Sequence, residues 1–361
     1  MSVFFDGHND SLTRHYPPRH LRQGENLDVN SFINGLHPHA HLDLPRAQKT
    51  NFAGGFFAIF IDPEPNLQES NPNSAYLAPR DRTFSGDYPS LEIPIDSQLA
   101  LKATLEVLSY AFKVERSSQG QIRIVRSFED LLEALNNKQL AQILHLEGCE
   151  AIDADLHNLE TFYQAGVRSL GLCWSRPNIF GTGVPFANNI TPNLGPGLTS
   201  LGKALVRECN NLHIVVDLAH LNYRGFFDVA KISSVPLVVS HAGAFSVCPS
   251  TRNLKDEQLE AIVQSQGIVG VTFNIPDITG NDEAKDPLQG VVEHIKYIGE
   301  NFGYDYVGLG SDFDGCTIPP QMDGVEGLEL LREAMEQNGL TQEEIDLVCY
   351  QNWLRVLERI F

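Results

Sequence analysis

Cysteine pairs at close spacing are missing from this chain. Its six cysteines, at 149, 173, 209, 248, 316 and 349, are scattered without a single C-x-x-C, a usage that points to reduced thiols rather than a disulfide framework. Basic charge is scarce as well. Lys plus Arg number 26 against 46 Asp plus Glu, a formal net charge of −20, and so acidic a surface repels phosphate backbones and anionic lipid headgroups. Nucleic acid and membrane are therefore poor partners. No segment approaches the roughly 18 uninterrupted apolar residues of a membrane helix. The opening MSVFFDGHND has neither the basic start nor the apolar run of a signal peptide, so a cytoplasmic location is expected. Neither GxxxxGK[ST] nor GxGxxG follows an apolar run, which argues against phosphate transfer and nicotinamide chemistry.

What is present is globular. With 361 residues, 42% of them hydrophobic and 20% charged, the chain can bury a large core as one big domain or two ordinary ones. A short apolar, β-rich run followed by polar or glycine residues and a helix-period stretch recurs eight times, at 3–7, 54–61, 141–146, 167–174, 212–219, 236–241, 267–273 and 306–311. Near-continuous hydrophobicity without alternation marks strands covered on both faces, as in parallel sheets. Helices are expected at 97–113, 127–137, 156–165, 198–210, 255–265 and 286–301. Eight repeats of strand and helix predict an α/β fold, a (β/α)₈ TIM barrel, whereas an open doubly wound sheet usually stops at five to seven strands. The expected layout is a single domain over 1–361, with loop insertions near 14–41 and 62–95 and a C-terminal helical segment at 326–361 that carries a capping-type TQEE. His37, His39 and His41 alternate in the first insertion and read as a polar loop rather than a metal site.

Acidic and imidazole groups fall at the strand ends. His8 and Asp10 follow the first strand, Glu147 ends the third, His220 the fifth, His241 the sixth and Asp312 the eighth. A barrel brings all its strand C-termini to one rim. Three histidines and three carboxylates gathered there form a ligand set for a pair of zinc-like ions, since imidazole suits zinc and a carboxylate can bridge two cations. Two ions about 3.5–4 Å apart can share a hydroxide and polarise a carbonyl. His15, His20, His145, His157, His213 and His294 lack this placement and read as structural.

DGHND near the start, DLPR at 43–46 followed by GGFFAIF, LEG at 146–148, DLAH at 217–220, SH at 240–241 with RN at 252–253, GSDFDG at 310–315 and NWLRV at 352–356 resemble the membrane dipeptidase (renal dipeptidase) family of binuclear zinc peptidases. The similarity runs in order from residue 4 to the C-terminus. It implies an amidohydrolase-type barrel with two zinc ions that hydrolyses dipeptides, in many relatives with a D-residue at the C-terminal position. By the same resemblance, His8 and Asp10 hold one zinc, His220 and His241 the other, and Glu147 bridges them. Asp312 then lies beside the bridging water and moves its proton, as general base and next as general acid. Trp174, within GLCWSRPN, stands where mammalian relatives carry a substrate-contacting histidine and is similar to the LTW version of a bacterial branch. Asn274 replaces a family tyrosine, and HAGAFSVC at 241–248 is more apolar than the usual segment.

Arg252 is the expected reader of the substrate's free α-carboxylate, because a guanidinium fork binds a carboxylate bidentately. Its other reading is a surface salt bridge to Asp256. The function expected is a zinc dipeptidase whose metal-bridging hydroxide attacks the peptide carbonyl, with Arg252, Trp174 and Asn274 against the substrate. A lactonase, deacylase or deaminase on the same frame is the alternative, and a homodimer is an open assembly. A non-catalytic binding module is disfavoured, because every metal-competent position is filled.

Overall fold

A computed structural model describes residues 3–16, 31–61, 94–280 and 282–361. Nine parallel strands are found among them: β1 (Phe4–Asn9), β2 (Phe52–Phe60), β3 (Ile122–Ile124), β4 (Leu140–Glu147), β5 (Val167–Gly171), β6 (Val215–Asp217), β7 (Val238–Ala242), β8 (Ile268–Val271) and β9 (Val307–Leu309). Eight of them close on themselves, because β1 pairs with both β2 and β9 and β2 pairs directly with β4. This is the expected (β/α)₈ barrel. The ninth, β3, pairs with residues 140–142 of β4, and β5 takes over that edge at 144–147. Sequence reading missed β3: three residues, IRI, with a polar centre give no periodic signal.

All eight expected runs contain a barrel strand. The run at 212–219 keeps only Val215–Asp217 as ladder, and the chain then turns into the site. All six expected helices are present, the first continuing to Ser117. Tyr223–Ile232 is a further helix that the reading passed over. Its glycine and paired phenylalanines blur the period, but Asn222 caps its start by accepting from Gly225 N at 2.8 Å. Much of the two expected insertions, at 17–30 and 62–93, lies outside the described residues. The rest of the first is not all loop, since Ser31–Asn34 forms one helical turn. The TQEE signature is a capping box, with Thr341 and Glu344 bonded reciprocally.

Two apolar clusters hold the layers. The larger lies between the outer faces of the strands and the surrounding helices. The smaller fills the barrel's N-terminal half with Phe5, Phe56, Ile143, Val215, Val238 and Ile268, and the C-terminal helix Asn352–Ile360 closes it from below with Trp353. Along β1, three steps match two on β2 between Asp6 and Asn9. The extra residue is a bulge that re-aims the strand, so that His8 joins the interior served lower down by Phe5.

Candidate metal centre and active site

Glu147 is the last residue of β4, and its carboxylate is the hub of the rim. One oxygen lies 3.5 Å from His8 Nε2; the other lies 3.1 Å from His220 Nε2 and 3.9 Å from His241 Nε2. Asp10 faces the same ring nitrogen of His8, at 3.8 Å from Nε2. One ring nitrogen of His8 and one oxygen each of Asp10 and Asp312 lie within 4.8 Å of one another, as do ligand atoms of His8, Glu147 and His241. Five strand ends thus deliver the six residues marked out in the sequence to one place.

The donor chemistry fits divalent cations. All these groups are buried except the half-buried Asp312, and neither ring nitrogen of His8 has a hydrogen-bond partner. The Nε2 atoms of His220 and His241 point at each other across 3.0 Å. Two imidazole nitrogens and a carboxylate oxygen converge here with few protons to share between them, and a cation that takes their lone pairs suits this set. Electrostatics agree at His220, His241 and Glu147. Burial brings the His220 pKa down to about 3, helped by the Arg252 guanidinium, and burial with His8 holds His241 well below its usual range. Burial works against ionised Glu147, yet His8 and His220 outweigh it and keep the carboxyl well below its usual range. Neutral imidazole and ionised carboxylate are the forms that bind metal. On His8 burial is likewise outweighed, by Glu147 and Asp10, so its pKa stands well above the usual value.

Trp174 lies three residues past β5, packed on Phe60 at 4.9 Å, Phe186 at 5.4 Å and the His220 ring at 5.6 Å. It forms an apolar wall beside one candidate ligand. The Arg252 side chain is buried and donates to the His241 carbonyl at 3.2 Å. It turns to the rim rather than to Asp256, which accepts from Tyr297 and Ser246. Asn274 starts the turn Ile275–Ile278 and donates its amide to Asp277 at 2.5 Å.

A model of the membrane dipeptidase family, peptidase family M19, matches residues 1–360. The chain belongs to that family. It is thus an enzyme of the metallo-dipeptidase class. A metallopeptidase from Rhodobacter sphaeroides, solved with a phosphinate mimic of the dipeptide L-Ala-D-Ala, is 38% identical and superposes over all of both chains with a TM-score of 0.90. The dipeptidase AC, an M19 metallopeptidase, is 36% identical over 99% of this chain and 98% of its own, with a TM-score of 0.86. An uncharacterised protein from the pqqA 5′ region of Klebsiella pneumoniae is 39% identical over 246 residues, 68% of this chain and 91% of that protein. Membership of the M19 family implies metal ions, and the cluster around His8 and Glu147 has the ligands for them. No helix among the described residues is long and apolar enough to cross a membrane.

Several histidines stay out of this site. His41 accepts from Asp314 N at 2.9 Å, and neither it nor His37 or His39 joins a metal-competent cluster among the described residues. His15, His213 and His294 bond to backbone carbonyls, and His20 lies outside the described residues. His145 is closer than its structural reading implied: with Asp217 it forms a third cluster on His8. Sequence reasoning also missed Ser175, whose hydroxyl lies 2.9 Å from His220 Nδ1, and Ser240, whose hydroxyl lies 2.8 Å from His241 Nδ1 and donates to Asp217. The one signal was position, with Asp217 opening DLAH and Ser240 directly before His241.

Proposed function

We propose that the chain is a two-zinc dipeptidase that cleaves dipeptides with a free C-terminal carboxylate and accepts a D-residue there, the whole of 1–361 forming one catalytic barrel. Full-length superposition on a metallopeptidase solved with a mimic of L-Ala-D-Ala supports both the substrate class and the single unit. His8 and Asp10 would hold one ion, His220 and His241 the other, and Glu147 both. Such ions supply Lewis acidity, polarising a carbonyl and lowering the pKa of water.

The chain's own groups do the rest. Asp312, within reach of His8 and Asp10, takes the proton of the attacking water and returns it to the leaving amine. Arg252 anchors the substrate carboxylate so that the scissile bond lies over the cluster. Trp174, with Phe60 and Phe186, excludes water from the side next to His220. Six free, buried thiols suit the reducing cytoplasm, where we place the enzyme.

The buried Arg252 carries this reading, since a cation held at the rim of a metal cluster selects an anionic substrate end. Arg252→Met is the test. Against a free dipeptide, kcat/KM should fall roughly 30-fold or more, the loss expected for one partner of a buried charge pair, while the C-terminally amidated analogue is little affected. An equal fall on both would remove Arg252 from carboxylate recognition. It would favour a deacylase, lactonase or deaminase on the same frame.

A further inference from the structure

A carboxylate and a hydroxyl form a latch that is found at two places among the described residues, one of them behind His241. Asp217, the last residue of β6, accepts from Ser240 N at 2.7 Å through Oδ1 and from Ser240 Oγ at 2.6 Å through Oδ2. Asp6 on β1 holds Ser311 in the same way, through its N and Oγ, both at 2.7 Å. Beyond the latch the two copies differ. Ser311 Oγ lies 3.1 Å from the His8 carbonyl, which like the Asp6 carboxylate only accepts and competes for the one hydroxyl proton. Ser240 Oγ lies 2.8 Å from His241 Nδ1.

Proton inventory settles the direction of that last bond. A serine hydroxyl has one proton. The carboxylate of Asp217 only accepts, so the Ser240 proton goes to Asp217 and Ser240 Oγ accepts from His241 Nδ1–H. The neutral ring then carries its lone pair on Nε2, the atom facing Glu147 and His220. His145 Nε2 also faces Asp217 Oδ2, at 3.6 Å, and leaves this count unchanged. We infer that Asp217 and Ser240 are positioning residues that fix the tautomer of His241 and thereby make its Nε2 a metal ligand. This inference rests on the two-zinc reading of the site.

Asp217→Asn reverses the relay with almost no change of shape. Oδ1 takes two backbone N–H groups, from Ser240 and from Ala219 at 3.1 Å, so the amide oxygen must occupy that place and the NH₂ must face Ser240 Oγ. The hydroxyl is then driven to donate to His241 Nδ1, and the ring proton moves to Nε2. A purely structural latch would barely notice this change; a tautomer lock is inverted by it.

The measurement is zinc retained by the full-length holoenzyme against graded chelator, with a thermal melt of each variant. Asp217→Asn and Ser240→Ala should each weaken zinc retention about 10- to 100-fold, the usual effect of removing a partner behind a metal-bound histidine. Ser240→Thr, which keeps the hydroxyl, should hold zinc like the parent. Ser311→Ala loses the other latch but no imidazole contact, so it should lower the melting temperature without a comparable loss of zinc. Asp217→Asn retaining zinc as the parent does would overturn the inference, as would equal zinc loss from Ser311→Ala and Ser240→Ala. If Asp217→Asn fails to fold, the Ala and Thr variants of Ser240 decide. A parent enzyme that takes up no zinc would sink the two-zinc reading itself, a result distinct from all of these.

Discussion

Asp312 and His220 both have left-handed backbones, with φ of 59° and 64°, where side chains other than glycine cost on the order of 1–3 kcal/mol each. Their surroundings hold them there. Asp312 N donates to the His8 carbonyl at 3.0 Å, and the His220 carbonyl accepts from Val184 N at 2.8 Å. Strain held at the two residues that leave strands β9 and β6 for the site is what aims their side chains at the cluster. Asp312→Asn tests the proposed proton carrier cleanly, because asparagine tolerates the left-handed region and keeps the shape. Zinc content should stay at the parent level while kcat falls by about 10² to 10⁴. Parental turnover in this variant would mean that another group carries the proton. At this scale the sequence showed the metal-competent side chains but not the groups behind them, since Asp217 and Ser240 look like any polar pair in an apolar run.

Strands were the most legible elements, because burial on both faces writes an unbroken apolar run for each. Register was not legible. The bulge in β1 that turns His8 inward depends on pairing with β2, a partner more than forty residues away. The barrel floor was hidden for a similar reason. NWLRV reads as one more amphipathic turn, yet Trp353 is fully buried and donates to the Leu309 carbonyl at 2.9 Å. β1 is shaped to receive it, since a Cβ on Gly7 would stand 2.4 Å from the indole and 2.3 Å from the Ser240 carbonyl. Trp353→Ala should therefore cost about 3–5 kcal/mol in urea denaturation, with the zinc content of the folded protein unchanged. A loss below about 1 kcal/mol would show that the C-terminal helix does not close the barrel.

Across the whole molecule, stability is divided between two ends built by different means. Apolar packing around Trp353, Phe5 and Phe56 closes the N-terminal end. The C-terminal rim holds buried imidazoles and carboxylates delivered from around the barrel, and without cations these groups are poorly satisfied. Bound ions would staple the rim by joining β1, β4, β6 and β7. At a free-ion concentration 100 times the dissociation constant, each site adds about 2.7 kcal/mol to folding. Chelation should therefore lower the melting temperature, and hydrogen exchange shows where the loss falls. Amides at the C-terminal strand ends, such as His8, Glu147 and His241, should exchange faster after chelation, while those beside Trp353, such as Phe5 and Ile143, keep their protection. Re-addition of zinc should restore the first group. Uniform acceleration along the strands would mean that the ions stabilise the barrel as one cooperative unit, and the division between a packed floor and a stapled rim would be wrong.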